Sequence, residues 1–243
     1  VQSDMVEETE VQSETVTQTI NDTESETEQT LETITTAEQE NAVIDRSETF
    51  ALLNDMKAGW NLGNTLDAHA SADLTSETSW GNPKTTPEMI QAIAQEGFHT
   101  LRIPVTWSKH VSAGPEYKID AAWMDRVEEV VKYALDCDMY VILDTHHEPD
   151  YWLKPQSDGL DEVQNELCAI WQQIAERFAD YDEHLLFEGM NEPRIKGSAQ
   201  EWSGGDADGR AAVNTLNQAF VDTVRAVGGK NETRTLIICP YGN

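Results

Sequence analysis

The sequence has 243 residues, 39% of them hydrophobic, and a formal net charge of −29. That length accommodates one large domain or two small ones. With so few Lys and Arg there is no electrostatic footprint for phosphate backbones, which argues against a nucleic-acid partner. No run approaches the roughly 18 consecutive apolar residues expected of a membrane span.

The charge is uneven. Residues 1–48 hold fourteen acidic side chains and one basic one, Arg46, with no aromatic, Gly or Pro. Such a composition cannot bury enough apolar area to offset an ordering cost of roughly 1–2 kcal/mol per residue. It predicts a disordered, self-repelling tether ahead of a folded module at 49–243. A Thr/Ser/Glu tether suits an exported enzyme held off a cell surface. Cys137, Cys168 and Cys239 have no close spacing and sit in apolar stretches. They are read as small buried hydrophobes rather than disulfide or metal ligands.

From Phe50 onward strands alternate with amphipathic helices. Lys57–Leu62 reads as a strand. Thr86 then caps a helix that opens on Pro87 and closes at Gly97. Phe98–Val105 is the second strand. Asp120 caps a helix with Trp123, Val127, Val130, Val131 and Ala134 at three- and four-residue spacing. Tyr140–Asp144 is nearly all apolar, as a strand buried on both faces should be. Glu166–Phe178 is helical, and Leu185–Glu188 is the fourth strand. Val213, Leu216, Phe220, Val224 and Val227 make the next helical stripe, and Thr235–Cys239 is a fifth strand.

Strand–helix alternation at this pitch implies an α/β fold with parallel strands. An open doubly wound sheet would want a glycine-rich phosphate loop after its first strand, and Gly59–Asn64 lacks that spacing. Several strands instead end in polar groups: Asn61 and Asn64, Arg102, His146-His147-Glu148, and Asn191-Glu192. A ring of reactive groups at strand C-termini is what the top of a (β/α)8 TIM barrel requires. Such a barrel takes about 250 residues, so the stretch after residue 48 is expected to hold its first five β/α units.

Phe187–Arg194 places an amide beside a carboxyl at the end of a buried strand. Cleaving a glycosidic bond takes two carboxyls, one protonated and one ionised. Glu192 is the candidate acid and then base, and Asn191 a candidate donor to the sugar 2-hydroxyl. Arg102 lies within an apolar strand and needs an anion, for which a carboxylate in the same mouth is the natural choice. Of the histidine pair, alternation along a strand lets at most one ring face the site directly. His146 is taken as its hydrogen-bonding member, and His147 as a brace in the wall within reach of substrate. Metal ligation by this pair is the lesser reading, and no cofactor is required. Trp80, Trp107, Trp152 and Trp202 fall in predicted loops, where indole faces can stack on sugars.

Taken in order, Gly59–Ala68, Trp80-Gly81-Asn82-Pro83, Arg102–Val105, His146-His147-Glu148 and Phe187–Arg194 resemble glycoside hydrolase family 5, in particular its clostridial-type endoglucanases. The resemblance implies a retaining endo-β-1,4-glucanase acting on a β-glucan polysaccharide, secreted, with a monomeric catalytic domain and no metal. It implies Glu192 as acid/base, Asn191 as its amide partner, Arg102 near the nucleophile and His146 at the site. Asn64, His147 and the loop tryptophans are read from their positions as lying toward substrate. That family carries its nucleophile on the seventh strand, so no residue of this sequence is assigned that role. Xyloglucan, mixed-linkage glucan, xylan and mannan are the alternative substrates. A non-catalytic carbohydrate-binding protein and a metal-dependent hydrolase are the alternatives of other classes.

Overall fold

The computed structural model describes residues 47–242. The predicted tether therefore lies outside the described residues, apart from its last two positions. Those two open a helix, α1 (Ser47–Met56), which the sequence pattern did not announce. Then come β1 (Gly59–Asn61), α2 (Pro87–Gln95), β2 (Thr100–Ile103), α3 (Ala121–Leu135), β3 (Tyr140–Asp144), α4 (Leu160–Arg177), β4 (Leu185–Glu188), α5 (Ala207–Val227) and β5 (Leu236–Ile237).

All five strands are parallel, and their spatial order is their chain order. A doubly wound sheet reverses its order at a switch point; this one never does, so it is barrel wall. Thr86 caps α2 by accepting from Met89 N, and Asp120 caps α3 by accepting from Trp123 N, as expected. Helix α4 starts six residues ahead of its predicted bound, at Leu160.

Alternation along the strands divides the side chains between two faces. Leu101, Ile103, Val141, Leu143, Leu185 and Phe187 point outward into the core shared with the helices. Gly189, just past β4, passes so close to α5 that a Cβ there would lie 2.6 Å from Phe220 Cδ1, which excludes any other residue. On the inner face Tyr140, Ile142, Leu186 and Ile237 meet Leu52 and Met56 of α1. Met56 O accepts from Thr100 Oγ1 at 2.7 Å, and Asp55 Oδ2 from Tyr140 O–H at 2.8 Å. Helix α1 thus closes the N-terminal end of the wall, burying Met56 for about 1.5–3 kcal/mol. At the other end the inner face turns from apolar to charged, with Arg102, Asp144 and Glu188.

The long loop between β1 and α2 is pinned from outside. Arg126 of α3 donates from Nε and Nη2 to both Glu77 oxygens, at 2.9 and 2.8 Å, and from Nη2 to Thr85 O at 2.6 Å. Both members of the pair are buried. The bidentate geometry and the additional acceptor offset the desolvation that such a pair incurs.

Candidate active site

Arg102 is the hub. Its Nε and Nη2 donate to the two Glu188 oxygens at 2.8 and 2.6 Å, and Nη2 also reaches Asp144 Oδ2 at 2.7 Å. Nη1 donates to Asn61 Oδ1, and Nη2 to Asn191 Oδ1, each at 3.0 Å. One guanidinium therefore ties together the C-terminal ends of β1, β2, β3 and β4. Burial pulls its pKa down, but Glu188 and Asp144 more than restore it, and the charge is fixed. The anion expected for Arg102 is thus supplied by two carboxylates that sequence reasoning had treated only as strand ends.

Asp144 is completely buried and accepts from Val105 N at 3.0 Å. Its Oδ2 also lies 2.8 Å from His146 Nδ1. An ionised carboxylate only accepts, so the ring donates from Nδ1 and keeps Nε2 for other work. Burial lowers the His146 pKa, and Asp144 outweighs it, leaving the ring above its ordinary value. Asn191 spends its oxygen on Arg102, which orients its NH2 for donation; that group lies 3.5 Å from His146 O.

Glu192 follows at φ 45°, in the left-handed region. That region is uncommon for a side chain with a Cβ and tends to occur at functional turns. Pro193 follows directly, five residues past the end of β4. Glu192 Oε2 accepts from Arg194 Nη1 at 3.1 Å, and Arg194 Nε donates in turn to Glu201 at 3.0 Å. The Arg194 guanidinium lies 4.2 Å from the Trp202 ring centroid, and that indole is 63% exposed. Trp202 thus belongs to the surroundings of Glu192.

A second group lines the rim. Trp80, 42% exposed, meets His69 and His147 edge-on at centroid distances of 4.9 and 5.5 Å. His147 Nε2 lies 3.7 Å from Asp67 Oδ2. Burial raises the Asp67 pKa, and the His147 ring with the Thr65 N–H brings it below the ordinary value. His147 is held against Asp67, yet β3 ends at Asp144, so strand alternation does not govern residue 147, and both rings of the pair are partly open. Asn64 is exposed at φ 59° in the same β1–α2 loop.

Two tryptophans are corrected outright. Trp107 is 0% exposed, and its indole N–H donates to Asp144 O at 3.0 Å. With both faces in the core it cannot stack on a sugar. Trp152 packs against the helix-side core and lines a hollow with Tyr117, Gly159 and Glu162 rather than with the Arg102 group. Glu148 explains the position of Trp107. It is wholly buried and accepts from Trp107 N at 2.8 Å and Ser108 N at 3.3 Å, with Ser108 Oγ also in contact.

Burial pushes the Glu148 carboxyl up to about 7, and burial with Glu148 nearby does the same to Glu166. A carboxyl whose pKa rises on folding favours the fold most below its unfolded value, near 4.5, and that advantage is lost as pH climbs toward 7. Urea melts of Glu148→Gln should therefore show a flatter stability profile between pH 4.5 and 7 than the parent. A parallel offset of the two profiles would disprove the assignment.

The cysteines are free and half-buried. Cys239 Sγ lies 3.8 Å from Glu188 Oε1, and burial first, then that carboxylate, pushes the thiol up to about 12.

A parallel wall with an arginine, carboxylates, imidazoles and amides gathered over its C-terminal rim is the scaffold of the glycoside hydrolase barrels. The chain belongs to glycosyl hydrolase family 5, whose cellulase model matches residues 67–243. It is 55% identical over 192 residues to Endoglucanase A of Ruminococcus albus, covering 79% of this chain and 52% of that protein. Against Endoglucanase B of Clostridium cellulovorans identity is 50% over 187 residues, 77% of this chain and 41% of the relative. The chain thus spans about half the length of these relatives. Among solved structures, a xyloglucan-specific endo-β-1,4-glucanase from a metagenomic library, in complex with cellotriose, aligns with a TM-score of 0.80 at 55% identity. That match covers 82% of this chain and 59% of the other. A broad-specificity endoglucanase from Clostridium acetobutylicum aligns at 0.75 and 50% identity, covering 79% and 56%. No helix among the described residues is long and apolar enough to cross a membrane.

Proposed function

We propose that this domain belongs to a retaining endo-β-1,4-glucanase that cuts internal linkages of cellulose-type glucans by double displacement. The observation that carries the reading is the Asn191–Glu192 pair at the end of β4, with its amide held by the same guanidinium that binds Asp144 and Glu188. Glu192 delivers a proton to the departing sugar oxygen and then takes one from the incoming water. Asn191, its oxygen already occupied, donates to the 2-hydroxyl as charge builds on the sugar. His146 presents Nε2 beside it. Trp80, His147 and Asn64 on one rim, and Trp202 on the other, supply flat and polar contacts to neighbouring sugar units. The opposing carboxylate, which a retaining enzyme holds about 5–5.5 Å from the acid, is assigned to no residue of this sequence. Polymeric glucan does not enter cells intact, so the same reading makes the enzyme an exported one.

A polypeptide of residues 1–243 alone is accordingly expected to release no reducing ends from carboxymethyl-cellulose. Robust turnover by it would overturn the assignment of the nucleophile elsewhere. Xyloglucan is the second substrate reading, favoured by the similarity to a xyloglucan-specific enzyme. Discrimination among β-glycans rests on contacts of about 1–3 kcal/mol each, so relative kcat/KM on a panel of them separates the two.

A further inference from the structure

The rim beside Trp80 gathers more ligand chemistry than sugar stacking needs. One nitrogen from each of His69 and His147 and a carboxylate oxygen of Asp150 lie within 4.8 Å of one another. The two rings sit 5.2 Å apart, and Tyr151 O–H lies 2.6 Å from His69 Nδ1. None of these groups takes part in the proton transfer described above.

We propose that His69, His147 and Asp150 bind a single borderline divalent transition-metal ion, of which Zn2+ is the natural probe. Two imidazoles and one carboxylate are a donor set that suits zinc, with a fourth position open to water. Donor atoms around tetrahedral zinc stand about 3.4 Å apart. The three side chains must therefore close by about 1.4 Å at most, from the 4.8 Å within which their donor atoms lie. Partly open imidazoles on loops accomplish that by rotation about their side-chain torsions. With the ion on His69 Nε2, the ring's Nδ1–H donates to the Tyr151 oxygen 2.6 Å away, the role outer partners play around metal-bound histidines.

Two features set the limits of the site. Lys196 Nζ holds Asp150 Oδ1 at 2.5 Å and competes with the ion for that carboxylate. A second set, Asp67, His146 and His147, shares His147. His146 of that set serves the sugar site in the reading above, so the proposal places the ion with His69 and Asp150, and His146→Gln decides between the two sets.

The test is zinc titration calorimetry on the tag-free chain, with Co2+ absorption reporting coordination and near-UV circular dichroism reporting the fold of each variant. One Zn2+ per chain is expected. His69→Ala and Asp150→Asn should each weaken binding more than about 10-fold, and Lys196→Ala should tighten it a few-fold. Asp150→Asn is nearly isosteric and secures the reading if His69→Ala fails to fold. Absence of zinc uptake overturns the proposal. So does affinity unchanged in folded His69→Ala or Asp150→Asn, or binding abolished by His146→Gln alone. The measurement does not depend on glucan hydrolysis, so its failure and that of the glucanase reading are separate results.

Discussion

Replacing Arg102 with Met should lower the unfolding free energy by about 3–5 kcal/mol, a large part of the roughly 5–15 kcal/mol that a domain has. Methionine retains the apolar stem of the side chain, so the loss reports the guanidinium. Without it, Asp144, completely buried, and Glu188, nearly so, face each other with no cation between them. Removing one member of a buried ionic group is costly because the partner is stranded, whatever the intact group contributes. Arg102→Lys should recover only part of the loss. A point charge cannot make the paired bonds to Glu188 while also reaching Asn61 and Asn191. Urea unfolding of the three proteins checks this. A cost below about 1 kcal/mol for the Met variant would mean that the carboxylates are satisfied by other groups.

The second large effect concerns Glu192→Gln in a hydrolysing form of the enzyme. General acid–base groups typically contribute 10²–10⁴-fold, and kcat/KM on polymeric glucan should fall by about that much. An aryl glucoside with an acidic leaving group needs little proton delivery, so its glycosylation step should be spared relative to the polymer. That contrast separates a proton donor from a residue that merely shapes the turn. The carboxyl is held by Arg194, which is in turn shared with Glu201 and covered by Trp202. Unchanged turnover of the Gln variant would return the domain to the reading of a non-catalytic carbohydrate binder.

Much of the wall was legible in the sequence. Tyr140–Asp144 and Leu185–Glu188 match their predicted bounds because strands buried on both faces are unbroken apolar runs. Strands β1, β2 and β5 are shorter than predicted, β2 by two residues at each end of Phe98–Val105, and the outer two have a further reason. β1 pairs only with β2 and β5 only with β4, and the ladder stops where one neighbour ends. Helix α1 escaped notice because its contacts, Leu52 and Met56, lie a single turn apart, too few to establish a period. The first turns of α4 carry Leu160 and Val163 at helical spacing from Leu167 and packed against the core, but set among acidic and amide residues, hence the late start assigned to it.

In the site, Arg102, His146, Asn191 and Glu192 were visible as polar residues at the ends of apolar strands. Asp144 and Glu188 carried the same signal, yet their part depends on register. Asp144 pairs with Glu188 across β3 and β4, two residues beyond the level of Arg102. Such a diagonal reach appears only once the strands are aligned. The tryptophans show the opposite failure. Trp80 and Trp107 were both assigned to loops, and the carbonyl of Asp144 and the carboxyl of Glu148 hold the second in the interior.

That last contact bears on any attempt to redirect the substrate range. A designer choosing indoles for randomisation by their loop location would place position 107 in the library and lose most clones to misfolding. Its ring acts as a bolt between the ends of two neighbouring staves, and a phenylalanine there would keep most of the bulk but drop the latch. Diversity aimed at Trp80 and Trp202, whose faces open to solvent, can alter sugar preference while the frame beneath stays shut.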